Sequence, residues 1–123
     1  MSGDLADLLA RARDAAGFPV DLLDEHRMGD FTDELQSQFA VYLYSCALSN
    51  ILKRNGVHSD YVAGYSMGLY AALYHAESIT FEQGLECIAT AFSLIRSASA
   101  DLDFGMGLIS GLDRADVEDL KAA

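Results

Sequence analysis

A serine stands between two glycines in residues 64–68, GYSMG, directly after a short apolar run and directly before a helix-forming run. This order predicts a strand over 60–64 that turns sharply into a helix over 67–75. Gly64 and Gly68 suit the two sides of such a turn, because a Cβ there would collide with the strand or the helix. The turn holds the Ser66 hydroxyl at its apex, so the pattern favours a nucleophilic serine.

A reactive serine needs an oxyanion donor and a general base. The first backbone N–H groups of a helix stabilise an oxyanion, and the Met67 N–H is the natural donor. Extended chain puts His58 on the order of 20 Å from Ser66, and a helix puts His75 roughly 13 Å away. His26 lies in a predicted loop and remains open, although nothing in the pattern points to it. The general base is therefore expected outside this chain.

Helical patterns occupy most of the N-terminal half. Apolar spacing predicts a helix over 5–16, capped by Asp4 and stopped by Gly17. A loop with a short helical turn at 20–23 follows. A long, largely buried helix is predicted over 33–54, since acidic residues open it, basic residues close it and an Asn-Gly pair terminates it.

The C-terminal half continues with helices and one further strand. Thr80 and Gln83 form a capping-box pattern that opens a helix. Its apolar stripe is formed by Phe81, Leu85, Ile88, Phe92 and Ile95. Residues 104–110, FGMGLIS, are typical of a strand, and Asp113 is placed to cap a last short helix. Strands alternating with helices predict an α/β fold.

Composition narrows the class of protein. A chain of 123 residues with 51% apolar residues suffices for one compact domain. The net charge of −11 argues against nucleic acid as a partner. No apolar stretch is long enough to span a bilayer, so we expect a cytoplasmic protein without membrane contact.

Cys46 and Cys87 lie in apolar helical patterns and are predicted to be buried thiols. No metal site is expected.

The run AGYSMGLYAALYHAESITFEQGLECI resembles the active-site segment of malonyl-CoA:acyl carrier protein transacylases and of the acyltransferase domains in fatty acid and polyketide synthases. Residues 37–40, SQFA, are similar to the family's Thr-Gln-Pro-Ala at the start of a long helix. Residues 104–120 are similar to the strand and helix that open the family's small ferredoxin-like subdomain. The resemblance therefore covers almost the whole chain.

The resemblance implies a partial α/β-hydrolase-like acyltransferase core over 1–103, with a strand-nucleophile-helix elbow, and the start of the ferredoxin-like subdomain over 104–123. It implies that Ser66 takes an acyl group from a coenzyme A thioester and passes it to the phosphopantetheine thiol of an acyl carrier protein. The thioester is a substrate, and no bound cofactor is expected. Gln38, Tyr65 and Ala91 fall at substrate-binding positions.

Several positions depart from the family pattern. Tyr65 replaces the usual histidine before the serine, and Leu69 replaces the usual glutamate after the second glycine. Ala91 stands where members that use dicarboxylic acyl groups carry an arginine, and Arg96 is not an obvious substitute. Because an unpaired buried carboxylate is costly, the sequence argues against malonyl and favours a monocarboxylic acyl group.

Two parts of the family have no counterpart in the 123 residues: an N-terminal Gly-Gln-Gly-Ser-Gln strand and a downstream half with the catalytic histidine. The chain is therefore expected to be an interior fragment, inactive alone, that self-associates or binds the missing segments. Two alternatives stay open. One is a non-catalytic, degenerate or truncated partner module, and the other is a serine thioesterase or esterase, which also uses a GxSxG motif.

Overall fold

The computed structural model describes residues 2–16, 34–102 and 110–122, which form five helices. They are α1 (Ser2–Ala16), α2 (Glu34–Arg54), α3 (Gly68–His75), α4 (Phe81–Ser99) and α5 (Arg114–Ala122). Helices α1, α2 and α4 pack on one another, and α3 packs on α2 and α4. Within the described ranges, no helix is long and apolar enough to cross a membrane.

The predicted α/β fold is wrong for the described part of the chain, which is helical and contains no strand. Residues 60–64 lie in an exposed, non-helical segment, 57–65, that joins α2 to α3. A strand needs a second strand to share its ladder hydrogen bonds, and no described segment pairs with this one. The α/β-hydrolase-like core, with a strand leading into its elbow, is therefore not found.

Other predictions fall on residues outside the described ranges. These are the turn at 20–23, the strand at 104–110 apart from its last residue, and the boundary between 103 and 104. Ser110 itself is exposed and has no regular structure. The two-part division of the chain stays a prediction.

A buried apolar cluster holds the first four helices together. It combines two residues of α1, six of α2 and three of α4: Leu8, Ala12, Phe39, Ala40, Tyr42, Leu43, Cys46, Ala47, Phe81, Leu85 and Ile88. Tyr70, Ala71 and Tyr74 of α3 pack against its edge. Burial of this apolar surface is the main stabilising term for such a small helical core.

Three predicted helix termini are confirmed. Gly56, directly after α2, has a φ of 72°, the left-handed geometry expected of a C-terminal glycine. At the start of α4, the Thr80 hydroxyl accepts from the Gln83 N–H, and the Gln83 side chain accepts from the Thr80 N–H. Before α5, the Asp113 carboxylate accepts a hydrogen bond from the Asp116 N–H.

Other local predictions are wrong because the packing of the helices decides them. Asp4 lies inside α1 and forms an ion pair with Arg54 of α2, so it is not the N-cap. Cys46 is buried as predicted, and burial raises the pKa of its thiol to about 12. Cys87 is exposed, because it faces away from the side of α4 that carries Leu85 into the core.

One apolar face of α2 is exposed, although the sequence predicts a mostly buried helix. Val41, Leu48 and Leu52 follow a helical stripe and are 52%, 57% and 46% exposed. The far end of the α4 stripe is likewise exposed at Ile95. The expectation that the chain shows apolar helix faces to solvent is therefore confirmed at these positions.

An ion pair between Arg11 and Glu82 joins α1 to α4. The Arg11 Nε lies 2.7 Å from Glu82 Oε1, and its Nη2 lies 3.1 Å from Oε2, so the contact is bidentate. The guanidinium carbon also lies 5.2 Å from the centre of the Phe81 ring. The hydrogen bond from Arg11 holds the pKa of the Glu82 carboxyl below its ordinary value.

Acid is expected to weaken this joint between α1 and α4. The pKa of Glu82 is lower in the folded chain than in the unfolded chain. The ionised carboxylate therefore contributes its full stabilisation of the folded chain above the unfolded pKa, and this contribution is lost as pH falls through the folded pKa. Glu82→Gln should therefore lose about 0.2–1 kcal/mol of unfolding free energy at pH 7, as for an exposed pair, and much less at pH 3.

Urea unfolding at the two pH values measures the difference. Glu86→Gln removes the same charge from an exposed position one turn further along α4, and it should not reproduce the effect. Equal losses in the two variants at pH 7 would contradict a role for the Arg11 pair.

Candidate functional site

Ser66 lies at the turn between segment 57–65 and α3, and its φ is 50°. This left-handed backbone is uncommon for a residue with a Cβ, and residues in such conformations cluster at active sites and ligand clamps. The Gly68 N–H donates to the Tyr65 carbonyl over 2.9 Å, and the Leu69 N–H donates to the Ser66 carbonyl over 3.0 Å. The unusual backbone predicted for Ser66 is confirmed, on a loop-to-helix turn instead of a strand-to-helix turn.

The two glycines of the motif differ in how much space surrounds them. A Cβ on Gly64 would overlap the carbonyl group of Gly68 and the Cα of Leu69. A Cβ on Gly68 would meet nothing within 4 Å. The steric need predicted for both positions therefore applies in this structure to Gly64 alone.

The first N–H groups around the start of α3 differ in whether a backbone carbonyl accepts from them. The N–H groups of Gly68, Leu69 and Tyr70 each donate to the carbonyl three residues earlier. Among the described residues, the Met67 N–H has no such acceptor. Met67 caps the helix in a right-handed conformation without a side-chain hydrogen bond. Its N–H is therefore available to an acceptor that approaches the serine.

A groove of about 590 Å³ lies beside this turn, between α2, segment 57–65 and α3. Its lining includes Leu48 and Leu52 of α2, Val62 and Tyr65 of the segment, and Ala71 of α3, and no Lys, Arg, Asp or Glu is among the described residues that line it. Ser66 is exposed and is not among the lining residues. Among the described residues, this groove is therefore not the cleft that the sequence predicts around the Ser66 hydroxyl.

Neither histidine in the described part of the chain, His58 or His75, forms a hydrogen bond to Ser66. His75 Nδ1 lies 2.7 Å from Ser49 Oγ, and His75 Nε2 lies 3.1 Å from Ser59 Oγ, so both ring nitrogens are engaged elsewhere. His58 is exposed in the joining segment. His26 lies outside the described residues.

The remaining predicted substrate positions are spread over the molecule. Tyr65 is 96% exposed and directly precedes the serine. Gln38 lies in the second turn of α2, seven residues before the first groove residue of that helix, or about 10 Å along its axis. Ala91 is partly buried on α4. Arg96, on the same helix, lies over the ring of Phe92. Neither Gln38 nor Ala91 lines the groove.

Sequence reasoning missed the contacts of His75 with Ser49 and Ser59. These residues are separated by 26 and 16 positions, and no local spacing rule relates them. The described residues also contain no group of three His, Cys, Asp or Glu side chains that could hold a metal ion.

A left-handed serine at a turn into a helix, next to a backbone N–H that has no acceptor among the described residues, shares two features with the nucleophile elbow of serine acyl-transfer enzymes. Sequence comparison identifies relatives that include a transacylase. The chain is 32% identical over 87 residues to a malonyl CoA-acyl carrier protein transacylase of Synechocystis, which covers 71% of this chain and 28% of the relative. The resemblance to this acyltransferase family, found first in the motif, is confirmed.

Two further relatives match shorter stretches of the chain. A polyketide biosynthesis protein of Burkholderia thailandensis is 40% identical over 62 residues, which is 50% of this chain and 5% of the relative. The 6-methylsalicylic acid synthase of Penicillium expansum is 38% identical over 66 residues, 54% of this chain and 4% of the relative. No family model matches the chain, and no solved structure matches it significantly.

Proposed function

We propose that this chain is part of an acyltransferase that moves an acyl group from coenzyme A to an acyl carrier protein in fatty acid or polyketide synthesis. The observation that carries the proposal is Ser66, held at a φ of 50° beside the unpaired Met67 N–H. Two of the relatives support it, since one is named as a transacylase and the other as a polyketide biosynthesis protein. The chain spans 28% of the transacylase.

In the proposed reaction, Ser66 Oγ attacks the thioester carbonyl and its proton passes to a general base. The Met67 N–H donates to the developing oxyanion, a contact worth roughly 10²–10³ in rate. The C–S bond then breaks, and the base returns the proton to coenzyme A, which leaves as the thiol. The carrier thiol next gives its proton to the base and attacks the acyl ester; the ester C–O bond breaks, and the proton passes to Ser66 Oγ. The base is a group beyond the described residues, and no resident cofactor takes part.

The first prediction of this proposed function is acylation of Ser66. Incubation of the native protein with acetyl-CoA should add one acetyl group on Ser66, seen by mass spectrometry of the intact protein and its peptides. Ser66→Ala should reduce this labelling by at least about 10³-fold. Ser78→Ala, an exposed serine after α3, should label normally. Stable labelling of Ser66→Ala would remove the proposed nucleophile.

The second prediction concerns the acyl group. Ala91 offers no guanidinium to a free carboxylate, so acetyl or a longer monocarboxylic group should outcompete malonyl by about tenfold or more, the worth of a lost charged hydrogen bond. Ala91→Arg should shift the preference towards malonyl. Thr90→Arg adds the same charge at an exposed neighbouring position, and it should not shift the preference towards malonyl. A wild-type preference for malonyl would contradict the role given to Ala91.

A second candidate is a non-catalytic acyltransferase-like module that binds a partner. It is favoured by the exposed hydroxyl of Ser66 and by the engagement of both His75 nitrogens with other serines. The labelling experiment separates the two candidates, because a non-catalytic module would bind without forming an acyl-serine.

A further inference from the structure

One imidazole connects three parts of the chain around the serine turn. His75 is the last residue of α3, and Ser66 lies in the turn two residues before that helix begins. Its Nδ1 contacts Ser49 of α2 at 2.7 Å, and its Nε2 contacts Ser59 of segment 57–65 at 3.1 Å. Ser49 is only 6% exposed, and it is the buried polar residue of the core region that this histidine satisfies. The anchor is therefore a buried one.

We infer that His75 and Ser59 are positioning residues for Ser66, an inference that rests on the proposed function of that serine. Segment 57–65 is exposed along its whole length, so burial does little to fix its path. Among the described residues, three hydrogen bonds join the segment to the helices. At one end the Val57 N–H donates to the Leu52 carbonyl, and at the other the Tyr65 carbonyl accepts from the Gly68 N–H. The third, between Ser59 and His75, lies between these two.

The conformation of Ser66 gives this contact its importance. A residue in the left-handed region persists there only when its surroundings over-determine the backbone. Gly64 must stay against the backbone of Gly68 and Leu69 for the turn to close. The hydrogen bond between Ser59 and His75 fixes the segment five residues before Gly64. It ties the segment to α3, the helix that begins with Gly68.

The bridge does not depend on which tautomer the imidazole adopts. A neutral ring donates at one nitrogen and accepts at the other, and each serine hydroxyl can donate to a ring nitrogen or accept from it. Either tautomer therefore forms both contacts.

The support is tested first without any activity measurement. In the full chain, Ser59→Ala should speed hydrogen exchange of the Gly68 and Leu69 amides about tenfold, the effect of one ordinary hydrogen bond. It should also weaken the strong intraresidue HN–Hα NOE that a positive φ gives Ser66. Ser59→Thr restores the hydroxyl and should behave as wild type. His58→Ala changes the exposed neighbour of Ser59 and should have no effect.

The second readout is acetylation of Ser66 in the native protein. Ser59→Ala should slow it about tenfold, and Ser59→Thr should restore the rate. Wild-type exchange and a wild-type NOE in Ser59→Ala would overturn the inference, as would an undiminished acetylation rate. If wild-type Ser66 is never acetylated while the exchange and NOE effects appear, the proposed function fails and the structural support for the turn remains.

Discussion

Replacing Gly64 by alanine is expected to open the turn that holds Ser66. The new Cβ would overlap the Gly68 carbonyl group and the Leu69 Cα, which are backbone atoms that cannot rotate away. Either segment 57–65 or the first turn of α3 must shift. We expect a loss of about 1–3 kcal/mol of unfolding free energy, as for other overpacked sites, together with loss of the positive φ at Ser66.

Gly68→Ala is the matched control, because the same methyl group four residues later meets nothing within 4 Å. Alanine is preferred to glycine inside a helix by roughly 1 kcal/mol, so this variant should be as stable as wild type or more stable. Urea unfolding and the Ser66 HN–Hα NOE measure both effects. A Gly64→Ala variant as stable as Gly68→Ala would contradict the close approach.

Gly84→Ala is expected to separate α4 from α2. A Cβ on Gly84 would overlap the hydroxyl end of Tyr42. The Tyr42 ring is held in place by stacking on Phe81 at 5.3 Å and by a 3.2 Å hydrogen bond from its hydroxyl to the Phe81 carbonyl. Because Tyr42 is buried, the ring cannot swing into solvent. We expect a loss of about 1–3 kcal/mol, with a matching fall in the melting temperature.

A second substitution tests the cause of this loss. Tyr42→Phe removes the overlapped oxygen and by itself should cost about 1 kcal/mol, the worth of its hydrogen bond. In the Gly84→Ala background it should cost less or restore stability, with a coupling of about 0.5–3 kcal/mol. Strict additivity of the two changes in urea unfolding would show that overlap with the Tyr42 hydroxyl oxygen is not what destabilises Gly84→Ala.

Three helix termini could be predicted because their signals are local. The Thr80–Gln83 capping box lies within one turn of α4, and the Asn-Gly pair that ends α2 is adjacent in sequence. Such signals act through hydrogen bonds between near neighbours and survive changes elsewhere. The fold class could not be predicted this way, because a strand exists only through its partner and segment 57–65 has none among the described residues.

Burial along each helix was only partly predictable. Apolar spacing correctly placed Phe81, Leu85 and Ile88 in the core. The same rule placed Ile95 and Cys87 there, and both are exposed. Periodicity defines which side of a helix is apolar, whereas the length of the neighbouring helices decides how much of that side is covered.

The sequence by itself determined the backbone of the candidate site. The order glycine, serine, glycine before a helical run was enough to predict an unusual conformation at Ser66, because a sharp turn into a helix places its middle residue in such a conformation. Only the tertiary structure decided which glycine is crowded and what His75 binds. Both outcomes depend on atoms brought together from different elements, and His75 and Ser49, 26 positions apart, meet only because α2 packs against α3.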